Sequence, residues 1–371
     1  VVALATRIDT IMRKPSWTTV APFAALVALA ATWGRHPGTL TVILVATLLA
    51  GAVLAAVHHA EVVAHRVGEP FGSLVLAIAV TIIEVALILT LMSSGGDKAS
   101  TLARDTVFAA VMITLNGIVG VSLLLGALRY ETVRFNAEGS GGALATVATL
   151  ATLCLVLPTF TVSEPGPEYT GGQLAFAAVC SLTLYGTFVI TQTMRHRDFF
   201  LPVHDDGRVR RDDDHADPPD ARTALGSLAL LLVSLVAVVG LAKVESPAIE
   251  EGVRAAGLPL SFVGVIIALV VLLPETLAAG KAARRKRVQT SLNLAYGSAM
   301  ASIGLTIPVL AVASIWVDTP LKLGLGSTHS VLLVITLVVS VLTVVPGRAT
   351  RLQGVVHLVL AAAYLFLAAS P

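Results

Sequence analysis

Two cysteines in 371 residues, Cys154 and Cys180, both set inside apolar runs, exclude a disulfide framework. Charge is scarce: Asp, Glu, Lys and Arg make up 13% of the chain, against roughly 25% in an ordinary soluble domain. Aromatics reach only 5%. The metalloprotease pattern HExxH, the nucleophile elbow GxSxG and a nucleotide-binding glycine loop are all missing, so the sequence gives no reason to read an enzyme. A phosphorylation-driven pump would need large soluble domains, and there are none. The polar–apolar alternation of a membrane β-barrel is lacking too.

What remains is apolar: 56% of residues are hydrophobic and the mean hydropathy is +0.86. Continuous apolar runs of about 20 residues read as membrane-spanning helices. Eleven such runs are predicted, at 17–34, 39–60, 71–94, 105–128, 143–163, 172–193, 223–243, 258–280, 288–316, 329–346 and 352–369. The expected fold is therefore an all-α polytopic membrane protein with 11 transmembrane helices. Ala, Gly, Val and Leu dominate, which lets helices approach closely where no hydrophobic effect drives them together. No cleavable signal peptide is evident, and the first span is expected to direct insertion.

The loops carry the orientation. Nineteen of the 25 Lys and Arg fall in one set of alternate loops and six in the other. The positive-inside rule then puts the N-terminus in the cytoplasm and the C-terminus outside. The basic run Lys281–Arg287 belongs to the first set and fixes topology against anionic lipid; it is too short a loop to suggest nucleic acid. One loop is long. Residues 194–222 are charged, include Asp212-Asp213-Asp214 and Pro218-Pro219, and read as a flexible cytoplasmic linker. The chain divides accordingly: an extra helix in 1–38, five helices in 39–193, the linker at 194–222, and five helices in 223–371.

Within the third span, Phe71–Ser94, the one ionisable side chain is Glu84. A charged residue at that depth costs about 2.5–3.5 kcal/mol on insertion scales and commonly marks an ion or proton path. The second half repeats the arrangement. Gly68-Glu69-Pro70 enters the span of Glu84, and Gly257-Leu258-Pro259 enters the span of Glu275. Each is followed by a span rich in small and hydroxyl residues, DTVFAAVMITLNGIVG and QTSLNLAYGSAMASIG. This is an internal duplication. Five crossings separate corresponding helices, so the copies are inverted, and inverted repeats meet at a midplane substrate site. Glu84 and Glu275 are expected to face each other there. Pro274 precedes Glu275 directly and is expected to break that helix, freeing carbonyl groups for a cation.

Two carboxylates across one cavity suit Ca²⁺, which takes six to eight oxygen ligands. Zn²⁺ would want His or Cys, absent from both spans. The pair also suits protons, because burial and like charge disfavour the ionised form. A site that holds either a cation or protons is that of an antiporter. Further oxygens stand nearby on the sequence: Thr81 one turn before Glu84, and Thr114, Asn116, Ser298 and Ser302 in the partner spans. Each is a candidate ligand or a bond to a neighbouring helix. His58, Glu61 and His65 share one helix face and suggest an entry funnel or pH sensor. Glu245, Glu250 and Glu251 take the corresponding region of the second repeat, at the outer side.

Three stretches, GEPFGSLVLAIAVTIIEVALILTLM, LARDTVFAAVMITLNGIVG and PETLAAGKAARRKRVQTSLNLAYGSAMASIGLTIPV, resemble the bacterial ChaA-type calcium/proton antiporters of the calcium/cation exchanger superfamily. The resemblance covers roughly 39–369. It implies one extra helix plus two inverted five-helix repeats joined by a charged cytoplasmic linker, in the bacterial inner membrane. It also implies that Glu84 and Glu275 bind Ca²⁺ and carry protons. The chain departs from the superfamily pattern: Val80-Thr81-Ile82-Ile83 and Leu272-Leu273-Pro274 replace Gly-Asn-Ala before each glutamate, and Gly297-Ser298-Ala299-Met300-Ala301 replaces Gly-Ser-Ala-Thr-Gln. The reading is a secondary transporter that exchanges cytoplasmic Ca²⁺ for external H⁺, with Na⁺(K⁺)/H⁺ exchange and a cation channel as alternatives. No cofactor is expected; the partners are membrane lipid, inorganic cations and protons, with no nucleic acid and homo-oligomerisation open.

Overall fold

A computed structural model describes residues 16–35, 38–68, 71–95, 100–203, 219–316 and 320–371. The Glu69-Pro70 step into the first glutamate span and the acid run Asp212–Asp214 lie outside the described residues. The described residues are mostly helical. In order, α1 is Trp17–Thr32, α2 Thr39–Val67, α3 Phe71–Gly95, α4 Leu102–Tyr130, α5 Ala137–Thr159 and α6 Gly171–Arg195. After the linker come α7 Ala221–Ala255, α8 Phe262–Val271, α9 Leu273–Arg284, α10 Val288–Ala313, α11 Ser327–Val344 and α12 Arg351–Ala369.

Among the described residues, eight of these helices are long and apolar enough to cross a membrane. The bent pair α8–α9 makes a ninth, and Trp17–Thr32 and Ile78–Thr90 are shorter apolar segments. Each of the eleven apolar runs read from the sequence coincides with one of these helices when the bent pair is taken as one. The largest boundary differences are in α2 and α7. Both run past their predicted ends into polar residues, α2 to Val67 and α7 to Ala255, the latter with Pro247 inside the helix.

Local chemistry explains where several helices begin. Asn136 accepts from the Gly139 amide at the start of α5. Thr170 and Thr350 form capping boxes with Gln173 and Gln353 ahead of α6 and α12, each satisfying amide groups that a helix start leaves unpaired. Three of the helices contain wide turns: Ile113–Ile118 in α4, Thr152–Val156 in α5 and Thr191–Arg195 in α6 have π-helical hydrogen bonding. Such bulges often sit at functional positions.

The long helices α2 and α7 pack along each other, with α1 laid against both. In the other part of the bundle, α4 and α12 pass so closely that both contact points are glycine. A Cβ on Gly354 would meet the Leu124 backbone nitrogen at 2.7 Å, and one on Gly120 would meet the Leu358 nitrogen at 3.0 Å. A two-residue antiparallel ribbon, Val133–Arg134 with Arg348–Ala349, ties the loop after α4 to the turn between α11 and α12. The core is contiguous and built mainly from small and branched aliphatic side chains, as expected where van der Waals packing holds helices together. Both cysteines are free.

Candidate cation site

The bend between α8 and α9 is 53°. Its cause is local. Pro274 stands in the first turn of α9, where its missing N–H leaves the carbonyl four residues earlier without a helical donor. Leu272, at the break, sits at φ −86°, ψ 0°. Glu275 follows in the first turn of α9, near the positive end of that helix. The helix bearing Glu84 runs unbroken from Phe71 to Gly95. Despite this asymmetry, the register agrees: Glu84 lies 13 residues beyond Phe71, and Glu275 lies 13 residues beyond Phe262.

Both carboxylates open on one cavity of about 340 Å³. Its wall is made by α3, α6, α9 and α10. Glu84 is buried, 2% exposed, and its Oε2 accepts a 2.9 Å hydrogen bond from the Ser302 hydroxyl. Its Oε1 has no hydrogen-bond partner, and neither has Oε2 of the part-buried Glu275 or the Thr81 hydroxyl. Unpaired buried polar atoms are costly, so three of them aimed at one space mark a place where something else completes the bonding. Among the described residues no three or more His, Cys, Asp or Glu are grouped so that they could hold a metal ion by themselves. A cation here would be held by two carboxylates supplemented by neutral oxygens.

Thr81, Glu84, Glu275, Ser298 and Ser302 all line this one cavity. Thr114 and Asn116 do not. Thr114 bonds back to the Ala110 and Val111 carbonyls. Asn116, fully buried in the π-helical turn of α4, donates to the Thr336 hydroxyl at 2.9 Å, and its Oδ1 lies 3.3 Å from His357 Nδ1. With the amide oxygen as acceptor, Nδ1 carries the proton, and Nε2 accepts from Thr343 at 3.1 Å. The network joins α4 to α11 and α12, and turns Asn116 away from the cavity.

Sequence reasoning missed further polar residues of the lining, Gln192, Thr290 and Asn293, and the aromatic Tyr185 and Phe188. From Ser302 to Thr290 the lining descends α10 by roughly 18 Å toward the membrane face that carries the linker. The secondary clusters fall outside this cavity. His58, Glu61 and His65 are all exposed, on the shared face expected of their spacing. Glu61 lies close enough to interact electrostatically with both Lys281 and Glu275. Of their counterparts, Glu245 is buried with Oε1 unpaired, Glu250 is part-buried and Glu251 is exposed.

The family model described as sodium/calcium exchanger protein matches residues 37–194 and 226–369. Over 364 residues the chain is 44% identical to the y4hA protein of Sinorhizobium fredii, an ionic transporter by its name, covering 96% of this chain and 97% of that one. It is 37% identical over 358 residues to the sodium-potassium/proton antiporter ChaA of Escherichia coli, covering 95% and 96%. Two solved structures share the fold. The YfkE structure has a TM-score of 0.70 at 16% identity, with 95% of this chain and 98% of that one covered. The H⁺/Ca²⁺ exchanger CAX has a TM-score of 0.67 at 16% identity, with 95% and 91% covered.

Proposed function

Because the chain belongs to the sodium/calcium exchanger family of membrane transporters, we propose that it exchanges cytoplasmic Ca²⁺ for external protons at the Glu84–Glu275 cavity. The observation that carries this reading is the pair of carboxylates lining one cavity, each with an oxygen left without a partner. Two carboxylates sharing a low-dielectric space cannot both stay charged without compensation. A divalent cation compensates both at once; one or two protons do the same. The two loads exclude each other, which is the coupling an antiporter needs. Ser302 favours the ionised form of Glu84 by donating to Oε2, so it helps the cation against the proton. Ser298 and Thr81 are the neutral oxygens nearest to hand.

The repeats 39–193 and 223–371 supply one glutamate each, and rocking of one against the other around a fixed site gives alternating access. With the linker in the cytoplasm, as the charge asymmetry of the loops implies, the cavity faces inward. Exit to the far side then requires a second arrangement of the same helices. The break at Pro274 is the natural hinge, because α9 is already uncoupled from α8 by a 53° bend.

Monovalent exchange is the second reading, and one observation favours it. The 37%-identical relative is named a sodium-potassium/proton antiporter. Proteoliposomes with a trapped pH indicator, given Ca²⁺, Na⁺ and K⁺ separately, decide between the two. Proton movement driven by Ca²⁺ alone at low concentration supports the first; movement driven only by Na⁺ or K⁺ supports the second. Cation flux without counter-movement of protons would instead indicate a channel.

A further inference from the structure

The chain leaves α6 at Arg195 and makes a single tight turn, Arg197–Phe200, at the start of the linker. Residues 194–198 are exposed, yet Phe200 is buried, 7% accessible. Its ring meets Phe188 edge-on, with centroids 5.6 Å apart and planes at 90°. Its carbonyl accepts from Asn293 Nδ2 at 2.6 Å. Phe188 and Asn293 stand on different helices, α6 and α10, and both line the cavity. One residue of the linker's first turn therefore supports two residues of the cavity wall from behind.

The turn is itself seated. Asn293 Oδ1 accepts from Gln289 Nε2 at 2.9 Å, and Gln289 Oε1 accepts from the Asn136 amide at 2.6 Å. Asn136 caps α5, and three residues on is Gly139. A Cβ at 139 would collide with the Phe199 carbonyl, which is backbone and has no easy way to yield. The absence of a side chain at 139 is what allows the turn to rest on the start of α5. The His196 and Phe199 rings stack at 5.1 Å on the outer side of the same turn.

We infer that residues 196–200 form a strap joining the linker to the cavity, with Phe200 as a positioning residue that sets the width of the linker-side mouth. This rests on the cavity being the transport path, but it is read out separately. The strap holds the Phe188 ring and the Asn293 amide in fixed places; if it is displaced, both can swing and the mouth widens. Any pull on the linker is then felt in the cavity wall within one turn of chain.

The test is access, not activity. Gln192→Cys, on the cavity wall, is placed in a background with Cys154→Ala and Cys180→Ala, and labelled by a membrane-impermeant maleimide from the linker side. Phe200→Ala should speed labelling by roughly two- to tenfold, the factor an edge-to-face aromatic pair commands. Gly139→Ala, which acts on the other side of the strap, should do the same, while Phe200→Tyr should restore the parent rate. Labelling of Arg285→Cys, exposed in the α9–α10 loop on the linker side, is the control and should not change. Unchanged labelling at 192 in both Phe200→Ala and Gly139→Ala, in protein that melts as the parent does, would overturn the strap. A rise at 192 and 285 together would overturn it as well, since that is general loosening. Exchange that survives Glu84→Gln would defeat the site reading instead, and would leave the labelling result standing.

Discussion

Ser302→Ala isolates one bond of the proposed site. The Ser302 hydroxyl donates to Glu84 Oε2 at 2.9 Å, and both groups are buried. A hydrogen bond to a charged group contributes about 1.5–3 kcal/mol. Taking the lower end, because the cavity can admit water to the vacated position, the loss corresponds to a factor of about ten in an equilibrium constant. The bond favours the carboxylate over its protonated form, so its loss falls on the cation-loaded state. The half-saturating cation concentration for exchange should therefore rise about tenfold, with the maximal rate changing far less. Ser302→Thr keeps the hydroxyl and should stay near the parent value. The assay is initial-rate exchange in proteoliposomes over a cation series at fixed pH. A half-saturating concentration within twofold of the parent in Ser302→Ala would refute the reasoning, because a buried charge-assisted bond of this length cannot be removed at no expense to the site.

Two other substitutions separate structure from transport. Pro274→Ala restores a donor and an ordinary turn at the break, so α8 and α9 should straighten toward one continuous helix; exchange should fall by at least about tenfold while the melting temperature stays near the parent value, since proline in the first turn of a helix carries little penalty. Asn116→Ala cuts the links to Thr336 and His357 and leaves their buried polar groups unpaired, at about 1–3 kcal/mol; it should lower the melting temperature and leave the half-saturating cation concentration unchanged, as measured by scanning fluorimetry alongside flux. A raised half-saturating concentration in Asn116→Ala with unchanged melting would return that residue to the cation site.

Much of this was legible because a membrane interior is an unforgiving background. Glu84, Glu275 and Pro274 stand out in apolar runs where nothing else is charged or helix-breaking, and the duplication could be read from their spacing. Ser298 and Ser302 followed because they lie in the span after the second glutamate. Asn116 was equally visible, but sequence does not say which way a helix face is turned. Its direction is fixed by the π-helical turn at Ile113–Ile118 and by His357, a lone histidine 241 positions away. The contribution of α6 was illegible for a different reason: Tyr185, Phe188 and Gln192 carry no charge and no special spacing, and only the packing of α6 beside α10 brings them to the cavity. The far ends of α2 and α7 extend beyond the apolar runs at 39–60 and 223–243, because a helix can continue through polar residues such as Glu61, Lys243 and Glu245 after the apolar run stops.

The most direct test of the carboxylate pair is proton release on cation binding in weakly buffered detergent solution, without any membrane gradient. Addition of Ca²⁺ to the purified parent should release protons saturably, and Glu84→Gln and Glu275→Gln should each abolish the release while the proteins keep their fold. Full proton release from either variant would contradict the account, since a single carboxylate, or neither, would then be carrying the exchange.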